Sequence, residues 1–270
     1  MKKLSARRRH PLAALVVLLF ALAATGGLYA AFAPAGEAKA DQESSQSLAI
    51  EEGKKLYATG CSSCHGTGGQ GTSDGPSLVG VGAAAVDFQV GTGRMPMQQP
   101  GPQAPKKPKI YSQDEINQLA AYVASLGSGP EQPTKKQYDP NGADIAKGGE
   151  LFRTNCAQCH NFTGEGGALT HGKTAPDLSN VDEKHIYEAM QTGPQNMPAF
   201  PDTVMPEKSK KDIVAYLKTV NSDEAESPGG NKLGGFGPVS EGLFAWVFGL
   251  GALVVVAVWV AARTAKAKKS

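Results

Sequence analysis

The stretch Gly53-Lys-Lys-Leu56-Tyr57-Ala-Thr-Gly-Cys61-Ser-Ser-Cys64-His65 decides how this chain is read, because it returns 95 residues later as Gly148-Gly-Glu-Leu151-Phe152-Arg-Thr-Asn-Cys156-Ala-Gln-Cys159-His160. Three further blocks repeat in the same order. Gly75-Pro76-Ser77-Leu78 answers Ala175-Pro176-Asp177-Leu178, Thr92-Gly93-Arg94-Met95-Pro96 answers Thr192-Gly193-Pro194-Gln195-Asn196-Met197-Pro198, and Leu119-Ala120-Ala121-Tyr122-Val123 answers Ile213-Val214-Ala215-Tyr216-Leu217. Four matched blocks in one order imply a duplicated domain. All four cysteines fall inside the two motifs, which leaves none for a disulfide.

Cys-x-x-Cys-His is the attachment pattern for c-type haem. Two intervening residues place both sulfurs on one side of a helical turn, where they can form thioethers with the haem vinyl groups, and carry the next imidazole beneath the iron. The pattern thus predicts two covalently bound haem c groups, one on Cys61 and Cys64 with His65 as axial ligand, the other on Cys156 and Cys159 with His160. A tetrahedral zinc site would draw four ligands into one cluster, whereas these motifs lie far apart in units that repeat as wholes. A thioredoxin-like dithiol would accompany a βαβ pattern, and none is found.

The second axial ligand must come from later in each unit. Met95 and Met197 each precede a proline and follow a Thr-Gly pair, so they are preferred; Met97 competes with the first, Met190 and Met205 with the second. Methionine opposite histidine raises the reduction potential, which suits one-electron exchange, and two filled axial positions leave no open site for bond-making chemistry. No catalytic residue is expected. The carbonyls of Pro76 and Pro176 are candidate acceptors for the other ring N–H of His65 and His160, fixing each ring as outer partners of metal ligands do, although prolines in loops also serve simply as turn formers. His10, His171 and His185 have no counterpart in the other unit and read as surface residues.

Each unit reads as mainly α: an opening helix (Ile50 to Cys64; Ile145 to Cys159), a Gly-rich loop region, and a closing helix (Asp114 to Leu126; Ser209 to Val220). Ser112 and Ser209 are expected N-caps, each with an acidic residue three positions on. Gly53 and Gly148, four positions before an aromatic, are where a second helix could approach closely. The boundaries expected are 49–127 and 144–221 for the two domains, with Gly127 to Gly142 as a linker and 222–240 as a Gly/Pro/Ser tether. Gln98 to Lys109 is an insertion confined to the first unit, and its prolines favour an extended, stiff loop.

Composition agrees with small domains joined by loops. Glycine (33) and proline (18) make up nearly a fifth of the 270 residues, and only 7% are aromatic, so each domain would gain stability from a bound group. Nine of the 27 basic residues crowd the ends, Lys2, Lys3, Arg7, Arg8 and Arg9 in a head of residues 1–10, and Arg263, Lys266, Lys268 and Lys269 in a tail of residues 263–270. The interior keeps 18 basic against 25 acidic residues, a balance that disfavours nucleic acid as a partner. Gly242 to Ala262 is uncharged and long enough to cross a bilayer. Residues 11–33 form a second such run behind the basic head. Its length favours a retained span over a secretory signal, yet Ala33-Pro34-Ala35 and Ala38-Lys39-Ala40 offer small-residue cleavage sites, so both fates stay open. Basic residues at both ends prefer the cytoplasm, which places the middle of the chain outside the plasma membrane.

The paired motifs with their Met-Pro partners resemble tandem class I cytochrome c domains. With the flanking transmembrane helices and the Pro/Lys-rich loop after Gly93-Arg94-Met95-Pro96, the arrangement is similar to the dihaem cytochrome c subunit of the actinobacterial cytochrome bc complex, a menaquinol:cytochrome c reductase. That resemblance implies partners in a cytochrome b subunit, a Rieske iron-sulfur subunit that supplies electrons, and a terminal cytochrome c oxidase that receives them. It also implies His65 with Met95, and His160 with Met197, as axial pairs. The alternative is the dihaem subunit of a cbb-type oxidase, whose usual N-terminal anchor does not match the span at Gly242 to Ala262.

Overall fold

The computed structural model describes residues 11–32, 36–222 and 242–267. The basic head with His10, the Ala33-Pro34-Ala35 site, tether residues 223–240 and the end of the basic tail lie outside the described residues. The chain divides into two compact units, Met1–Leu48 and Ala49–Ser270.

In the first unit, α1 (Pro11–Phe32) is apolar on every side. Leu12–Ala31 carries enough hydropathy to cross a bilayer, and none of it is buried. A core helix of a soluble protein would hide such a surface, so α1 is a candidate membrane span. Gly242–Arg263 has the same character at the other end of the chain. There an initial turn leads through a π-helical stretch, Ala245–Leu250, into the long C-terminal helix Gly251–Ala267. Trp259 lies under the guanidinium of Arg263, 4.3 Å from ring centroid to Cζ.

The second unit contains the repeat, and the repeat folds as one. Helix α2 (Gly36–Gly60) ends against α5 (Gln113–Ser125), as α7 (Ile145–Asn155) does against α10 (Glu207–Val220). Both crossings pivot on the expected glycines. A Cβ on Gly53 would collide with the carbonyl oxygen of Gln118, and one on Gly148 with that of Asp212. Aromatic pairs close each crossing, Tyr57 with Tyr122 at 5.1 Å between ring centroids and Phe152 with Tyr216 at 5.5 Å. Around them sit two separate cores, one with Val86, Ile116, Leu119 and Val123, the other with Ile186, Tyr187, Ile213 and Leu217.

Several local expectations need correction. The opening helices do not run through the cysteine motifs: each breaks at its first cysteine, Cys61 at φ −128° and Cys156 at φ −122°, and restarts as a single turn, α3 (Ser62–His65) and α8 (Ala157–His160). Ser112 is an N-cap with a full capping box to Glu115, but Ser209 lies inside α10, which starts at Glu207 behind Pro206. Proline supplies the extended backbone there, and Asp212 instead accepts from the Asp144 N–H at 2.8 Å and from Lys208 at 2.9 Å.

The Gly-rich middle of each unit also contains a helix that the sequence reading took for loop. In the first unit α4 (Gly82–Gly91) buries Val86, Asp87, Phe88 and Val90; in the second α9 (Glu183–Thr192) buries Ile186, Tyr187, Glu188 and Met190. The supposed linker is folded too. Pro130 accepts a hydrogen bond from the Ala84 N–H at 3.1 Å, and a turn, α6 (Lys135–Tyr138), packs on α9 and α10. Among the described residues the strand pairing is limited to β1 (Gly167–Ala168) with β2 (Thr174–Ala175), antiparallel.

Candidate functional site

The break at the first cysteine is what shapes each site. It turns the chain so that the second cysteine and the histidine project from a separate turn, and the residue after the histidine then takes a left-handed conformation, Gly66 at φ 79° and Asn161 at φ 62°. Glycine enters positive φ freely, whereas at Asn161, with ψ 172°, a side chain carries a conformational cost. The chain reverses there, and the N–H of Gly71 returns to the carbonyl of His65 at 2.8 Å, as that of Gly166 does to His160 at 3.0 Å.

Both histidines are buried, with their rings held from behind. Nδ1 of His65 lies 2.8 Å from the carbonyl oxygen of Pro76, and Nδ1 of His160 lies 3.2 Å from that of Pro176. A carbonyl only accepts, so Nδ1 carries the proton and the Nε2 lone pair is left facing the site. Burial holds His160 below its ordinary pKa, partly offset by the Pro176 carbonyl. A neutral ring is the form that binds a metal. Burial, reinforced by the second thiol of each motif, pushes Cys61 and Cys156 up to about 11.

In the first domain a cavity of about 300 Å³ gathers Cys61, Cys64, His65, Met95 and Met97 around one space. Both methionines reach it, so the cavity alone does not separate them. Met95 also packs on the hydrophobic core, and its N–H is held by the carbonyl of Gln89 at 2.9 Å. In the second domain Cys156, Met190 and Met205 are buried members of one core cluster, with Met197 packed against it. Two thiols, an imidazole with an available nitrogen and a thioether around one cavity form the donor set that a covalently attached haem requires, so the residues fit the group.

Features that the sequence reading missed lie between the two domains. Helices α4 and α9 meet there. The carboxylate of Asp87 accepts from Lys184 at 2.7 Å and from Gln113 at 2.8 Å, while Lys184 stands 3.7 Å from Glu188. Burial and the neighbouring Asp87 push Glu188 up to about 10, so it is neutral in this setting. Burial alone would raise Asp87, but the neighbouring Glu188 carboxyl, the Lys184 ammonium and the Gln113 amide together hold it below its ordinary value. His185 is not a free surface residue as its lack of a counterpart suggested. Its ring stands edge-on to Phe88 at 6.2 Å and its Nε2 is 4.0 Å from Asp87, with burial lowering its pKa. His171 is exposed, as expected.

The insertion Gln98 to Lys109 also crosses to the second domain. Gln103 donates to the Thr174 carbonyl at 2.6 Å and accepts from its N–H at 3.0 Å; Gln195 accepts from the Ala104 N–H at 3.1 Å and donates to its carbonyl at 3.2 Å. One signal of this was present in the repeat itself. Gln98 to Lys109 has no equivalent in the second unit, and the loop from Gly193 to Met197 is two residues longer than its counterpart in the first. The two departures from symmetry touch one another.

Comparison with known proteins agrees with the duplication. A family model described as "Cytochrome c" matches residues 50–127, and one described as "Cytochrome C oxidase, cbb3-type, subunit III" matches residues 143–217. The cytochrome bc1 complex cytochrome c subunit of Mycobacterium tuberculosis is 47% identical over 264 residues, covering 96% of this chain and 93% of its own length. That of Corynebacterium efficiens is 45% identical over 280 residues, covering 97% and 94%. The cbb3-type cytochrome c oxidase subunit FixP of Bradyrhizobium diazoefficiens is 29% identical over 60% of this chain and 58% of its own length, which favours the bc1 family over the oxidase alternative. With two cytochrome c domains of the kind that binds haem c, matched to relatives from end to end, the chain belongs to the family of cytochrome bc1 complex cytochrome c subunits.

Proposed function

We propose that this chain is the dihaem electron carrier of a menaquinol:cytochrome c reductase, taking electrons one at a time from a Rieske iron-sulfur protein and passing them to a terminal cytochrome c oxidase. The observation that carries this reading is the twofold occurrence of a cysteine pair followed by a histidine whose Nδ1 is tied to a proline carbonyl. Haem c, when bound, supplies a reversible one-electron iron couple. The protein's part is to hold, orient and shield. Cys61, Cys64, Cys156 and Cys159 would attach the two groups, His65 and His160 would offer Nε2 to the iron, and Met95 and Met197 would offer sulfur. Met95 is preferred to Met97 because it packs on the core and occupies the repeated Thr-Gly context.

The domains run from 49 to 127 and from 144 to 221. Both apolar helices are retained as spans, and the basic ends remain in the cytoplasm, so the haem domains face the opposite side of the plasma membrane. The chain makes no bonds of its own, and its place in a translocase is as the electron-transfer subunit beside cytochrome b and the Rieske protein. Purification in mild detergent through an affinity tag on this chain is expected to recover those two subunits together with a polypeptide that keeps its visible haem colour in acidic acetone. A lone or colourless polypeptide would overturn the reading.

A further inference from the structure

The two unit-specific insertions meet at a place that bears on both haem sites at once. Thr174 lies two residues before Pro176, the carbonyl behind His160, and Gln195 lies two residues before Met197. Gln103 and Ala104 of the first domain thus bind the second domain on the histidine side and on the methionine side of its site, through the four hydrogen bonds described above. The same segment of the first domain, from Pro100 to Ala104, lines the cavity around Cys61, Cys64, His65 and Met95, and so do Gln195 and Asn196 of the second domain. The first-domain crevice is therefore walled in part by second-domain residues, and the loop that lines it is hydrogen-bonded to the segments leading into Pro176 and Met197.

Ala104 is buried although it sits in a loop rich in proline, and Gln195 is a non-glycine residue in a left-handed conformation, φ 57°. A side chain in that region carries a conformational cost. Here the conformation accompanies an amide placed to bond both the N–H and the carbonyl of one residue, Ala104, across the domain boundary. Electron tunnelling falls steeply with separation, so a loop that lines one redox site and is bonded to the segments flanking the other has a direct consequence for rate.

We propose that Gln103 and Gln195 are positioning residues that lock the two haem crevices at a fixed short spacing, so that electrons cross from one domain to the other within this chain. The inference rests on the dihaem carrier reading above. It assigns to the first-domain insertion the role of an internal spacer rather than a cover.

The test uses the intact detergent-purified complex carrying Gln195→Ala or Gln103→Ala. Three quantities are read: the spectrum and midpoint potential of each haem, hydrogen exchange at the Ala104 and Thr174 amides, and the rate of electron equilibration between haems after light-triggered reduction. The expected result is both haems retained with the second-domain haem's spectrum and potential kept, faster exchange at Ala104 in the first variant and at Thr174 in the second, and equilibration slowed by roughly tenfold, the order of population change that losing two net hydrogen bonds produces. Parental equilibration in both variants would overturn the proposal while leaving the carrier reading intact. A shifted potential or lost haem in the second domain would overturn it in favour of simple support of that site. Two haems that fail to equilibrate in the parent protein would instead defeat the carrier reading itself. Should Gln195→Ala not assemble, Gln195→Glu keeps the acceptor for the Ala104 N–H and loses the donor: an intermediate rate supports the proposal, and a parental rate overturns it.

Discussion

At the scale of single residues, each site depends on a histidine whose protonation is set by geometry. The proline carbonyl fixes the proton on Nδ1, and this leaves Nε2 with a free lone pair at both His65 and His160. The candidate methionines differ in their surroundings. Met95 and Met197 each lie in a repeated loop and pack against a core, whereas Met190 and Met205 are themselves buried within the second core, where a flexible thioether serves well as filler. Replacing Met95 or Met197 by alanine is expected to abolish the near-infrared sulfur-to-iron band of the corresponding haem and to lower its potential. Met97→Ala should keep the band, and its loss in that variant instead would transfer the ligand role to Met97.

At the scale of elements, the helix crossings show which features of the sequence were legible. Gly53 and Gly148 stood out because each precedes an aromatic by one turn, and both prove to be contact points where a backbone carbonyl of the closing helix occupies the space of a side chain. Gly148→Ala must push α7 away from α10, and overpacking of this kind costs about 1–3 kcal/mol. Chemical denaturation of the haem-loaded protein should show that loss, and an unaltered midpoint would mean that the crossing has slack. The middle helices were not legible. Helix α4 is built from small and apolar residues flanked by glycines, so it lacks an exposed polar face to mark its period, and five buried side chains hold it in place. The break at each first cysteine was hidden for a related reason, since nothing in Cys-x-x-Cys-His distinguishes a continuous helix from two turns meeting at an angle.

At the scale of the molecule, the two domains are joined by a buried charged seam as well as by the insertion. Glu188 is fully buried with a pKa near 10 where the unfolded value is 4.5. The folded state thus keeps a proton that the unfolded chain releases, and stability contributed by this group falls as pH rises from about 4.5 to about 10. One proton limits the slope to about 1.4 kcal/mol per pH unit. Glu188→Gln is neutral at every pH, so it should be the more stable protein at pH 8 and lose its advantage near pH 4.5, measured by denaturant titration at each pH. An advantage that does not change with pH would mean that Glu188 is already ionised in the fold.

Sequence alone determined the duplication, the two Cys-x-x-Cys-His motifs, the helical class and the two apolar runs, because each of these is set by residue type and local spacing. Only the tertiary structure decided that Asp87 would face Lys184 and Glu188, and that Gln103 and Gln195 would reach Thr174 and Ala104. Those contacts join residues tens of positions apart in chain order, and no local preference encodes them. They arise once two copies of one fold pack together and the segments that break their symmetry fall on the same side.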